Sequence, residues 1–318
     1  MQLADRLWIN GLVVTMNAPG DLVPQGAVAI RGHDIVAVGA TDEVLAAWEA
    51  PEVVDCEGAA ILPGLVNAHT HVPMSLLRGL ADDLRLDVWL FGYMLPVERE
   101  FVSAEVCRWG TLLSCAEMIR SGVTCFADMY YYEHEVARAV ADAGMRAICA
   151  ETVMKWPTPD AESYDESMAL CRKFSEAWQD HALITPAVGP HAPETSTPEM
   201  LRDSALLAAE YGVPLLVHIA ETAGGVEETQ NLFGMSPVEV LKEHGVLEGQ
   251  VLAAHCVHIT DQDRELLARH GVGVAHNPTS NLKLASGLAD VVGMQEAGIA
   301  VGIGTDGQAS NNDQDMFQ

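Results

Sequence analysis

The chain has 318 residues, 17 basic and 45 acidic, for a formal net charge of -28. This length suffices for one large α/β domain with a small appendage. The charge repels a phosphate backbone or an anionic lipid surface, so nucleic-acid polymers and membranes are not expected as partners. No apolar run approaches the roughly 18 residues of a membrane span, and the opening MQLADRLWIN lacks the apolar segment of a secretory signal. Seven cysteines without a C-x-x-C pairing read as thiols of a reducing compartment, so a cytoplasmic location is expected.

Residues 1–60 carry short alternating stretches, GLVVTM and GAVAIRGHDIVAVG, with Gly32 and His33 at a hairpin turn, and read as a small β-sheet unit. From residue 61 the pattern changes to eight apolar runs separated by helical segments: 61–67, 122–129, 145–152, 183–191, 213–221, 251–256, 272–278 and 300–306. The helices between them have clear boundaries. Thr197-Pro198 starts one that Gly212 ends, Ser236-Pro237 starts one that Gly245 ends, and Thr260 starts one that Gly271 ends. Strands apolar on both faces and alternating with helices predict a (β/α)₈ TIM-type barrel over residues 61–318. The chain reaches Gln318 soon after Asp306, so the barrel is expected to be truncated after strand eight, with the outer faces of strands eight and one left bare.

In such a barrel the active site lies at the C-terminal ends of the strands. Strand one ends in ILPGLVNAHTH, where His69 and His71, two apart, point the same way. Strand five ends in His218 with Glu221 beyond it, strand six in His255, and strand eight in Asp306. Scattered core histidines have no reason to gather at the ends of different strands. His69, His71, His218 and Asp306 make a first shell for one divalent ion with an open position for water, zinc first and iron or nickel as alternatives. His255 can take a ligand position instead. The fourth strand ends VGPH without a lysine to bridge a second ion, and Lys155 reads as a solvated loop residue. A bound ion lowers the pKa of water from 15.7 to about 7. Glu221 is then placed to take the water proton and deliver it to a ring nitrogen, with His255 orienting the hydroxide, and Asp306 counts among the catalytic groups as well as the ligands.

The motifs NAHTHVPMSLLRGLADDLRLDVWL, HIAET, AAHCVH, HNPTSNLKL and GTDGQASNN resemble the amidohydrolase superfamily, specifically its 5-methylthioadenosine/S-adenosylhomocysteine deaminase branch. The resemblance runs from about residue 1 to the end. It implies a metal-dependent barrel, with residues 1–60 as part of a composite β-sandwich built from both chain ends. The implied reaction is hydrolytic loss of the 6-amino group of an adenine nucleoside, giving the inosine derivative and ammonia. It further implies that Trp89 and Glu98 lie in the loop after strand one, with Glu98 on the ribose hydroxyls, and that His191 of GPH contacts the base. Members that use S-adenosylhomocysteine hold its carboxylate with arginine. Residues 152–182 offer only Lys155, Arg172 and Lys173, the last two on a helix, so a neutral 5'-substituent such as methylthio is favoured, with adenosine and S-adenosylhomocysteine behind it. The apolar DMYYYEH segment, residues 128–134, is a candidate wall for the 5'-pocket. A homo-oligomer acting on a small nucleoside is expected. The competing readings are a guanine or pterin deaminase, or a triazine chlorohydrolase, on the same scaffold. A non-catalytic binding protein is disfavoured because the ligand set is intact.

Overall fold

A computed structural model describes residues 1–317, in two compact units, Met1–Gly64 and Leu65 onward. In the first unit, Leu22–Arg31 pairs antiparallel with Arg6–Val14 and with Asp34–Ala40. Glu52–Asp55 and Ala60–Ile61 add to Arg6–Val14 in parallel, completing a five-stranded sheet. The expected hairpin turns at Gly32, whose φ of 61° suits a residue without Cβ. Leu7, Ala27, Ala29, Val44 and Trp48 form this unit's small core.

The second unit is the barrel. Its eight parallel strands follow sequence order: Leu65–Thr70, Val123–Tyr130, Arg146–Val153, Ile184–Pro190, Leu215–Ile219, Val251–His255, Gly273–His276 and Val301–Ile303. All eight apolar runs are strands, but the first is displaced from its expected start at residue 61. Ile61 belongs to the N-terminal sheet, and the barrel strand begins at Leu65, because Pro63-Gly64 interrupts the extended run. The unit boundary accordingly falls at Gly64 and not at residue 60.

The helix signals operate as expected. Thr197 Oγ1 accepts the Met200 N–H at 3.2 Å at the head of Pro198–Tyr211. Ser236 and Thr260 both form reciprocal capping boxes, opening Pro237–Glu243 and Asp261–His270. Gly212 and Gly271 are left-handed at the helix ends. Inside the barrel, Ala127, Met129, Ala150, Ala187 and Leu216 pack together, so the lower barrel is a filled core and leaves room only at the upper rim.

The seam between the eighth and first strands brings two site strands together. Asp306 N–H donates to the His69 carbonyl at 2.9 Å, and Thr305 N–H donates to Asn67 Oδ1 at 3.0 Å. The approach requires glycine at 304: a Cβ there would lie 2.8 Å from both the backbone N and O of His69, and closer still to Asn277 Oδ1. On the outer faces of these strands Val66 is 57% and Ile303 53% exposed.

Candidate metal centre and active site

Each site residue sits where a strand stops. His69 is the fifth residue of the first strand, and His71 comes just after its end. His218 is in the fifth strand, His255 closes the sixth, and Asp306 follows the eighth. The chain departs from extended geometry at these points: Ala220, His255 and Asp306 have φ of 48°, 73° and 62°. Left-handed backbone at residues with a Cβ costs on the order of 1–3 kcal/mol each and persists only where the surroundings over-determine it. Here it turns Glu221, His255 and Asp306 toward one point.

The cluster is dense with acceptors. His69, His218 and His255 each offer a ligand atom within 4.8 Å of the others, and so do His69, His71 and Asp306. Three rings have their Nδ1 facing an oxygen: His71 on the Met129 carbonyl at 2.5 Å, His218 on the His191 carbonyl at 2.8 Å, and His255 on Asn281 Oδ1 at 2.8 Å. An N–H at each Nδ1 leaves Nε2 turned toward the centre, with its lone pair free at His218 and His255. Nε2 of His69 and of His255 are buried without a hydrogen-bond partner. Asp306 Oδ1 lies 3.2 Å from His71 Nε2 and 3.5 Å from His69 Nε2. Converging lone pairs around a carboxylate with unpartnered buried nitrogens are a poor arrangement by themselves and fit a divalent cation.

The charge balance agrees with this fit. Burial, with the neighbouring rings, lowers His218 well below the ordinary histidine value, takes His69 down to about 4 and His191 to about 3, so all three are neutral near pH 7. His71 moves the other way: burial opposes its charge, but the hydrogen bond and negative charge of Asp306, helped by Asp128, hold it at about 9. The centre therefore attracts positive charge. Asp306 stays well below the usual carboxylate range: burial opposes its charge, but the His69 and His71 rings outweigh it. Its Oδ2 also accepts the Ser280 hydroxyl at 2.6 Å.

A cavity of about 540 Å³ opens above the cluster. Trp89, Glu98, His191, His218, Glu221, His255 and Asp306 all reach its lining, while His69 lies beneath, 2% exposed. Glu221 Oε2 is 3.7 Å from His255 Nε2, and its Oε1 receives the Ser286 hydroxyl at 3.4 Å. Burial raises the Glu221 pKa, with His255 opposing. Trp89 and Glu98 come not from a loop but from helical turns, Leu86–Trp89 and Leu95–Phe101, with Trp89 in the hydrophobic cluster that also holds Phe126, Tyr130 and Val136. Glu98 accepts the Tyr130 hydroxyl at 2.6 Å, and burial pushes it up to about 7. His191 Nδ1 is 2.9 Å from Thr195 Oγ1.

Two sequence expectations are corrected and others were too coarse. Lys155 is half-buried and held rather than freely solvated: its ammonium donates to the Glu194 carbonyl at 2.5 Å and lies 4.7 Å from the Trp156 ring centre. Of the DMYYYEH segment, Tyr130 and Tyr131 line the cavity, whereas Tyr132 turns away to donate to the Pro159 carbonyl. The orienting partners Ser280 and Asn281 sit in HNPTSNLKL, which the sequence marked as a motif without assigning their roles. Glu194 had no sequence signal at all. Arg172 is on the helix Tyr164–Trp178 as expected, paired with Glu210 on the surface.

The chain belongs to the amidohydrolase family, whose model matches residues 60–318, and is a metal-dependent hydrolase acting on C–N bonds. It is 44% identical over 314 residues to the 5-methylthioadenosine/S-adenosylhomocysteine deaminase of Syntrophobacter fumaroxidans, covering 99% of this chain and 72% of that one. Among solved structures it is similar to an adenosine deaminase from Xanthomonas campestris with bound zinc, at 38% identity and a TM-score of 0.96, covering 99% of this chain and 72% of that one. It is also similar to the atrazine chlorohydrolase TrzN of Arthrobacter aurescens complexed with zinc, at 25% identity and a TM-score of 0.88 over 98% and 74% of the two chains. No helix among the described residues is long and apolar enough to cross a membrane.

Proposed function

We infer that the chain catalyses hydrolytic deamination of an adenine nucleoside, 5'-methylthioadenosine first and then S-adenosylhomocysteine or adenosine, to the inosine derivative and ammonia. The observation carrying this reading is the set of convergent, unpartnered acceptors at the cavity floor with a buried carboxyl, Glu221, beside them. The names of the Syntrophobacter and Xanthomonas relatives support the substrate class, and their higher identity favours it over the chlorohydrolase alternative.

His69, His71, His218 and Asp306 would hold one divalent ion, zinc by the likeness to the zinc-bound relative, with iron or nickel possible. Such an ion, when bound, supplies Lewis acidity that makes water acidic enough to react near neutral pH. The other assignments concern protons and position. Glu221, whose pKa is raised by burial, takes one proton from the attacking water and passes it to a purine ring nitrogen, then takes the proton of the newly added hydroxyl and passes it to the departing amine, which leaves as ammonia. His255, with Nδ1 committed to Asn281, presents Nε2 as an acceptor that orients the water. By the family resemblance, His191 contacts the base and Glu98 the ribose hydroxyls, with Trp89 a further substrate-binding residue; all three line the cavity. The chain is read as a cytoplasmic homo-oligomer acting on a small molecule, a reading that its free cysteines support for the compartment.

Zinc-loaded protein given 5'-methylthioadenosine, S-adenosylhomocysteine, adenosine, guanine and atrazine in parallel is expected to release ammonia from the adenine nucleosides, fastest from 5'-methylthioadenosine. Turnover confined to guanine, or chloride release from atrazine, would overturn the reading.

A further inference from the structure

The mechanism leaves one half-buried acid of the cavity unused. Glu194 follows the fourth strand in the short turn Pro193–Thr195 and lines the cavity wall. The helix Ala223–Phe233, which follows the fifth strand, packs its first turns against this carboxyl: a Cβ on Gly225 would come within 2.9 Å of Oε1, and the Thr229 hydroxyl is 3.4 Å from Oε2. No cation neutralises it among the described residues, since the Lys155 ammonium bonds the Glu194 main-chain carbonyl and stays out of the cavity. Burial, with Glu221 and Glu228 adding to it, pushes Glu194 up to about 7, so a substantial negative charge remains near neutrality.

Most of the charged lining has the same sign. Asp87, Glu98, Glu194, Glu221, Glu228 and Asp306 reach the cavity, against Arg85 as the one Lys or Arg among the described residues, and its Nη2 is 2.8 Å from Asp87 Oδ2. A divalent ion at the floor would offset Asp306 and Glu221 and leave the wall and rim acidic. A carboxylate or phosphate entering this space surrenders its water and finds, among the described residues, only Arg85 as a Lys or Arg, already paired with Asp87 at the exposed rim. An ammonium or an uncharged group meets no such obstacle.

We propose that the cavity sorts nucleosides by charge, accepting neutral or cationic substituents on the sugar and rejecting carboxylate and phosphate, with Glu194 as the specificity-determining residue. This rests on the nucleoside-deaminase reading and narrows it.

The test is kcat/KM of the zinc-loaded protein for 5'-deoxyadenosine, 5'-amino-5'-deoxyadenosine and adenosine-5'-carboxylic acid, which differ in charge on one base and ribose. The carboxylate is expected about 100-fold below the neutral compound, and the amine at or above it. In Glu194→Gln the gap between carboxylate and neutral compound is expected to narrow about 10-fold. Glu228→Gln, on the exposed rim, keeps the fold and narrows the gap less, because solvent screens it. A wild-type carboxylate within threefold of the neutral compound overturns the proposal, as does an unchanged gap in Glu194→Gln. If that variant does not fold, an unchanged gap in Glu228→Gln overturns it instead. Failure to turn over any of the three would sink the deaminase reading separately. In that case thermal-shift affinities of the same compounds decide the charge proposal, which fails if the carboxylate binds as well as the neutral compound.

Discussion

Glu221→Gln is expected to keep the full metal content of the wild type and to lose about 10²–10⁴-fold in kcat with little change in KM. The carboxyl is not among the groups that converge on the ion position, so amide replacement leaves the donor set intact. It does remove the carboxyl 3.7 Å from His255 Nε2 to which the proposed reaction assigns the proton transfers. Burial with a single weak hydroxyl partner at 3.4 Å leaves the carboxyl free to change protonation state without breaking a structural network. Metal measured by emission spectroscopy and steady-state ammonia release separate the two effects. Near-normal turnover in the variant would remove Glu221 from the mechanism.

His71→Ala has the opposite signature: metal and turnover should disappear together. The loss should exceed the roughly 10–100-fold in metal affinity that removal of an outer partner costs, because a direct donor goes. Asp306 then also loses its nearest ring, at 3.2 Å, one of the two that keep its carboxylate charged. Equilibrium dialysis against zinc, compared with activity at each occupancy, tests this. A variant that holds zinc at wild-type affinity would take His71 out of the ligand set and bring His255 into it.

Much of this was legible in the chain itself. Alternating apolar runs and capped helices locate the eight strands, and His69, His218, His255 and Asp306 read as site residues because their strands end at them. The start of the first strand was misplaced because ILPGLVN is apolar throughout, and periodicity cannot say where one sheet hands over to another; Pro63-Gly64 decides it. What lay beyond the sequence depends on tertiary contact. The left-handed backbone at Ala220, His255 and Asp306 has no composition signal, since none of the three is glycine. The orientation of His255 comes from Asn281, 26 residues away, and that of Asp306 from Ser280, through a short helix whose packing the sequence does not reveal. Glu194 resembles any loop carboxylate until the helix Ala223–Phe233 is packed against it.

The most direct measurement is a zinc titration of metal-stripped protein with 5'-methylthioadenosine present, following ammonia release at each ratio. The account predicts no turnover without metal, a linear rise, and saturation at one zinc per chain. Full turnover in the stripped protein, or saturation only at two ions per chain, would contradict it.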